Sequence, residues 1–163
     1  MQPKLCSRVR SRRHEADIPR FATGTSIPQR YAKLGANDQP ELIITGVPEG
    51  TAELAVICHD PDAPRPAGFT HWTLYGIPAD TQQIPMNGED AFRPGPNDYG
   101  DIGWGGPQPP QAHGPHHYYF WLYALDTAVD GTPDRDSFLR EYAANVIAQS
   151  RIVGIYENPG PGT

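Results

Sequence analysis

Glycine and proline are unusually frequent in this sequence, with 17 glycines and 19 prolines among 163 residues. Both residue types interrupt helices, because glycine is conformationally free and proline lacks the N–H that a helix interior needs. So high a content approaches that of disordered chains. Disordered chains are poor in aromatic residues, however, whereas aromatic residues make up 10% of this sequence. The combination predicts one loop-rich, mainly β domain and excludes an all-helical bundle.

Apolar segments of strand-like composition alternate with these loops. A single helix is predicted near the C-terminus. Thr132-Pro133 would begin it, apolar residues near helical spacing continue it over residues 137–153, and Gly154 would end it. Such a chain is typical of a β-rich domain with one or two helices packed on an edge or face. The predicted strands lie at 18–30 (followed by a turn), 40–46, 52–59, 70–77 and 118–125.

The charge is distributed unevenly along the chain. The formal net charge is −6, which argues against a general nucleic-acid binder. Residues 1–33 nevertheless hold eight Lys and Arg against two acidic residues, so residues 1–17 form a basic arm ahead of an acidic body. The arm is either solvated or docked on its own domain, or it makes peripheral contact with an anionic membrane. Residues 158–163 are interpreted as a C-terminal tail.

The segment before Phe21 lacks the apolar stretch of a secretory signal. No apolar run is long enough to cross a bilayer. Cys6 and Cys58 alone make no disulfide framework. A cytoplasmic protein with free thiols is the simplest prediction.

Five of the six histidines lie beside two stiff turns rich in Pro and Gly; these are His59, His71, His113, His116 and His117. If the two turns meet at one end of the fold, they enclose a small pocket. Its polar groups would be a carboxylate, two imidazoles and a phenol, from Asp60, His71, His116 and Tyr118.

Such a pocket suits a small anionic or zwitterionic ligand, because imidazole and phenol donate hydrogen bonds to anions. The aspartate would receive an ammonium or hydroxyl group. An alternative is that Asp60 and Asp62 cap backbone N–H groups of the turn and that the histidines are core residues. No metal, cofactor or nucleophile motif is present, since the chain lacks HxH, HExxH, CxxC, GxSxG and the phosphate-binding loop pattern.

Four motifs, in this order and spacing, resemble the phosphatidylethanolamine-binding protein (PEBP) family. They are HDPDAP (59–64), THW (70–72), GGPQPP (105–110) and GPHHY (114–118). The resemblance covers residues 18–157 and is greatest to the short prokaryotic branch labelled Raf-kinase-inhibitor-like. It implies a mainly β fold with a large central antiparallel sheet, a smaller second sheet and a C-terminal helix. It also implies an anion pocket with phospholipid head-group chemistry, whose ligand-binding residues are Asp60, Asp62, His71, Pro109, His116 and Tyr118.

Three departures from the family pattern stand out. His117 occupies a position where the family usually has Arg, so a permanent charge is replaced by a titratable one. Gln108 stands where the short branch often has Cys. The short segment before His71 offers no clear counterpart to an aromatic residue that lines the pocket in longer members.

Two function hypotheses follow. The first is a ligand-binding, regulatory module that holds a phosphate- or carboxylate-bearing molecule and has a protein partner still to be identified. The second is a small-molecule enzyme of the isomerase or cyclase type, in which Asp60, His71 and His116 transfer protons. Kinase inhibition comes only from the branch label, and no residue of this chain supports it.

Overall fold

The computed structural model describes residues 15–17 and 24–158. Strands dominate this part of the chain, and the α-helix α1 spans Arg135–Tyr142. Short 3-10 turns occupy Gln29–Tyr31, Glu89–Ala91 and Ala143–Asn145. The strands are β1 (Glu15–Asp17), β2 (Thr25–Ser26), β3 (Leu42–Thr45), β4 (Glu53–Asp60), β5 (Phe69–Pro78), β6 (Gln83–Ile84), β7 (Arg93–Pro94), β8 (His116–Leu125) and β9 (Val146–Tyr156).

The strands form two sheets. The large sheet has the order β2-β9-β8-β4-β5-β7, and the small one has the order β1-β3-β6. Neighbouring strands are antiparallel except for β2 and β9, which run parallel at one edge of the large sheet. The predicted mainly β fold with a large and a small sheet is therefore confirmed, with the large sheet mixed rather than wholly antiparallel.

Successive side chains of a strand point to opposite faces of its sheet, and both faces of the large sheet are covered. One face packs with the small sheet, where Val56 and Leu74 share a hydrophobic cluster with Leu42 of β3. The other face packs against α1, where Phe138 meets Tyr75. All eight residues of the central strand β4 are buried, including the polar residues Glu53, His59 and Asp60.

The prediction of a helix over residues 137–153 is wrong beyond its first part. Helix α1 ends at Tyr142, and Val146–Tyr156 is the edge-side strand β9, paired with β8 along its whole length. Five of its residues are β-branched, which favours extended backbone and a pleated surface. Gly154 does not end a helix; it is buried within β9 opposite Tyr118.

The arm and the tail are described only in part. Residues 15–17, at the end of the predicted arm, form β1 and pair with β3. The rest of the arm with Cys6, residues 18–23 of the first predicted strand, and residues 159–163 lie outside the described residues. Cys58 is buried with a free thiol. In the described ranges, no helix is long and apolar enough to cross a membrane.

Candidate functional site

A cavity of about 210 Å³ opens at the end of the large sheet where β4 ends and where β5 and β8 begin. The two Pro- and Gly-rich segments meet there, as the positions of the histidines predict. The wall residues important for its chemistry are Asp60, Phe69, His71, Pro109, His116 and Tyr118.

An irregularity in strand pairing brings His71 to this cavity. The register pairs Cys58 with Trp72 but His59 with Thr70, so His71 is an extra residue of β5, as in a β-bulge. Simple alternation would place His71 on the sheet face of Tyr75, beside α1. The bulge instead turns it toward Tyr118, with ring centroids 5.1 Å apart.

Asp60 and His116 form a buried pair at the base of the cavity. The Nδ1 atom of His116 lies 2.7 Å from Oδ2 of Asp60, and both side chains are at most 3% exposed. The backbone N–H of Asp62 donates to Oδ1 of Asp60 at 2.7 Å. Burial raises the pKa of Asp60, because a carboxylate is poorly solvated there, while the two hydrogen bonds act in the opposite direction. Asp60 thus caps the turn, as the alternative interpretation predicts, and also lines the cavity.

His71 is held in one tautomer. Its Nδ1 lies 2.7 Å from the carbonyl oxygen of Gly105, and a carbonyl only accepts, so Nδ1 carries the proton. Burial lowers the pKa of His71 to about 4, although the nearby carbonyl groups oppose this shift. At neutral pH the ring is therefore uncharged, and its Nε2 is a hydrogen-bond acceptor.

The Gly-rich wall opposite β5 is fixed by its own hydrogen bonds. The Tyr99 hydroxyl donates to the Gly106 carbonyl at 2.7 Å, and the Gly105 N–H donates to the His71 carbonyl at 2.9 Å. A Cβ at Gly105 would lie 2.5 Å from the Tyr99 ring, so only glycine allows this close approach. The wall thereby sets the distance between Gly105 and the His71 ring.

Asp62 does not line the cavity, unlike the other five residues named by the family resemblance. Its Oδ2 accepts hydrogen bonds from the backbone N–H and Nδ1 of His117, at 2.8 and 2.7 Å. Desolvation raises the pKa of Asp62, but these bonds outweigh it and leave the pKa below its usual value. His117 therefore takes the position of the family Arg and still pairs with an acidic neighbour.

Several residues of the site are missed by sequence reasoning. Phe69 supplies an aromatic wall for which the sequence offers no clear counterpart, and its ring centroid lies 4.7 Å from that of His71. Arg65 lies at the rim over the Phe69 ring, 5.3 Å from its centroid. His113, which is exposed, brings its Nδ1 to 2.5 Å from Nε2 of His116. The position of Phe69 two residues before His71 is the one sequence signal that could have identified it.

Within the part of the chain that the structure describes, no three His, Cys, Asp or Glu side chains are grouped to hold a metal ion. The polar side chains that the site presents include the carboxylate of Asp60, the imidazoles of His71 and His116 and the phenol of Tyr118.

Comparison with known proteins gives concordant results. The sequence profile of the phosphatidylethanolamine-binding protein family matches residues 17–157. A UPF0098 protein of Methanothermobacter thermautotrophicus is 40% identical over 138 residues, which are 80% of this chain and 89% of that protein. The crystal structure of Escherichia coli YbcL, described as a member of the mammalian PEBP family, superposes with a TM-score of 0.82 at 34% identity, covering 89% of this chain and 98% of that one.

A second solved structure agrees. The PEBP homolog CT736 from Chlamydia trachomatis has a TM-score of 0.83 at 29% identity and covers 90% of this chain and 98% of that one. The matched region includes the whole large sheet and every residue that lines the cavity. The chain belongs to the phosphatidylethanolamine-binding protein family.

Proposed function

We propose that the protein is a ligand-binding module whose cavity holds the oxyanion of a small molecule, of the phosphate or phospholipid head-group type, and that this binding serves regulation. One observation carries the proposal. Asp60, His71, His116 and Tyr118 are each at most 3% exposed, yet all four converge on one cavity. Polar groups are costly to bury unless they are satisfied, so their concentration at one opening indicates a binding site.

The size and charge of the cavity support a small head group. About 210 Å³ accommodates a phosphate or carboxylate with a short substituent, and is below the usual range for larger ligands. Arg65 adds a permanent positive charge at the rim. The family name, phosphatidylethanolamine-binding protein, agrees with a phospholipid head group as ligand.

Calorimetric titration with inorganic phosphate, acetate and phosphoethanolamine tests the proposal. Hydrogen bonds to charged groups contribute about 1.5–3 kcal/mol, so His71→Ala should weaken binding about ten- to hundredfold. His116→Ala should also weaken binding, because it leaves the Asp60 carboxylate without its imidazole partner beside the bound anion. His117→Ala is the matched control, because this neighbouring imidazole is outside the cavity. Unchanged affinity in both His71→Ala and His116→Ala would contradict the proposal.

The chain of hydrogen-bonding groups from Asp60 through His116 to exposed His113 favours a second candidate function. This arrangement resembles that of general acid–base groups, in which a carboxylate orients an imidazole. An isomerase- or cyclase-type enzyme would use it to move protons on the bound molecule. The test is turnover of the small molecule that co-purifies with the protein. Loss of turnover in Asp60→Asn with binding retained would favour the enzyme, and an unchanged co-purified compound would exclude it for that compound.

A further inference from the structure

The hydrogen-bonding capacity of the cavity is unusual for an anion site. Nδ1 of His71 donates its proton to the Gly105 carbonyl, so in the neutral ring Nε2 carries no proton. Nε2, the nitrogen available to the ligand, therefore presents a lone pair. A bare oxyanion also has only lone pairs, so it finds no donor at this atom.

Asp60 and His116 add no free donor. Both carboxylate oxygens of Asp60 accept hydrogen bonds already, one from the Asp62 N–H and one from His116. The remaining nitrogen of His116 is in contact with His113. The base of the cavity is therefore rich in acceptors and carries a carboxylate.

The groups around His71 do not change this balance. Asp60 approaches it from β4, His116 and Tyr118 from β8, and Tyr99 from the loop that follows β7. His59, the remaining imidazole nearby, makes protonation of His71 still less favourable. Of the described residues that line the cavity, Arg65 alone is a permanent cation, and it lies at the rim. The amide of Gln108 is a further donor in the lining, and this residue is likewise exposed.

We propose that the cavity takes its oxyacid ligand with a proton attached, so that it selects phosphate or phosphonate monoesters and rejects sulfate esters near neutral pH. This inference rests on the proposed function. The ligand's P–O–H group donates to Nε2 of His71, while its anionic oxygens accept from Tyr118 and from Arg65 at the rim.

The alternative for a sulfate is to protonate His71 from solution. Because the pKa of His71 is about 4, each pH unit above that value weakens such binding about tenfold. A phosphate monoester has its second pKa near 6 and carries its own proton up to that pH. A sulfate monoester has the same single charge as the monoprotonated phosphate but has no proton to donate, so the two form a matched pair of probes.

Titrations of methyl phosphate and methyl sulfate between pH 4.5 and 7.5 test the inference. Between pH 4.5 and 6, we expect the association constant of methyl sulfate to fall about thirtyfold and that of methyl phosphate to change less than about threefold. Repeating the calorimetric titrations in buffers of different ionisation enthalpy measures how many protons the complex takes up from the buffer on binding. At pH 6, sulfate should take up close to one proton and phosphate about half of one.

Parallel pH profiles, or sulfate binding as tight as phosphate binding at pH 7, would overturn the inference while leaving the proposed function intact. Absence of binding by both probes, inorganic phosphate and phosphoethanolamine at every pH would instead remove the proposed function. Vesicles containing phosphatidic acid, compared with soluble glycerol 3-phosphate, distinguish a lipid head group from a free monoester. The same pH profile is expected for whichever of the two binds.

The variant His71→Gln provides an independent test, because the Gln amide places a permanent donor near the position of Nε2. Sulfate binding should then lose its dependence on pH between 4.5 and 7.5. His117→Gln, outside the cavity, should keep the wild-type pH profile. A sulfate profile in His71→Gln that is as steep as in the wild type would overturn the role given to Nε2, and circular dichroism checks that this variant is folded.

Discussion

Replacing His116 with alanine should destabilise the protein strongly at pH 7. The change leaves the Asp60 carboxylate buried with the Asp62 N–H as its remaining hydrogen-bond donor. Both side chains of the pair are at most 3% exposed, so bulk water solvates the carboxylate poorly. Breaking a buried pair by removing one partner costs about 3–5 kcal/mol, a large part of the stability of a typical domain.

Urea unfolding at pH 7 measures this loss. With an m-value of about 2 kcal/mol/M, a loss of about 4 kcal/mol moves the midpoint by about 2 M. The double variant Asp60→Asn/His116→Ala is the matched control, because it lacks the same imidazole but has no buried carboxylate. We expect the double variant to be more stable than His116→Ala at pH 7.

The dependence on pH gives the sharper test. The pKa of Asp60 is raised in the folded protein and should rise further without His116. Between its unfolded and folded values, the folded state binds more protons, so the free energy of unfolding increases as pH falls, by at most about 1.4 kcal/mol per unit. The gap between the stabilities of the single and double variants should therefore narrow as pH falls from 7 to 4, close to the ordinary carboxyl pKa of 3.8. An equal gap at pH 7 and pH 4, or no gap at pH 7, would refute the assignment of a buried carboxylate.

Three simpler tests concern other parts of the chain. Phe138→Ala should lower the free energy of unfolding by about 3–5 kcal/mol, because this fully buried ring joins α1 to the large sheet; a loss below about 1 kcal/mol in urea would contradict this packing. Asp134→Ala removes the cap bond to the Ser137 N–H and should cost about 1 kcal/mol at pH 7. Since hydrogen bonds from Ser137 hold the folded pKa of Asp134 below 3.8, this loss should vanish as pH falls through that folded value, and an equal loss at pH 2.5 and pH 7 would count against it. Deleting residues 1–14, which hold five Lys and Arg, should weaken binding to anionic vesicles in a salt-dependent way, and unchanged binding would exclude a membrane role for the arm.

Local composition was sufficient to predict the central strands but not β9. Strands β5 and β8 are dense in β-branched and aromatic residues, and β4 has an apolar centre over residues 54–58. The sequence predicts each of these strands within a few residues of its bounds. In β9, the apolar residues also fit a helical spacing, and α1 directly precedes them. Pairing with β8 over ten residues decides between the two structures. That partner lies far away in sequence, so no local pattern reveals it.

The sequence predicts which residues form the candidate site but not how their side chains are oriented or which of their atoms accept hydrogen bonds. Asp60, His71, His116 and Tyr118 could be grouped because they lie beside two stiff turns, and the structure brings them to one cavity. The one-residue bulge at His71 and the approach of Phe69 depend on strand register, which composition does not encode. The acceptor character of His71 depends on the single carbonyl of Gly105, which only the packed structure reveals.

Two neighbouring Asp–His pairs have the same spacing but differ in burial, and the difference decides how much each contributes to the site. His116 with Asp60 and His117 with Asp62 have the same 2.7 Å separation, but the second pair is more than 40% exposed. An exposed pair contributes at most about 1 kcal/mol and is screened by salt, whereas removing one partner of a buried pair exposes the full desolvation cost of the other. The exchange of the family Arg for His117 therefore alters the charge of the outer rim and leaves the buried set unchanged. Ligand selection should accordingly follow His71 and the Asp60–His116 pair, and the His117→Ala control separates the two contributions.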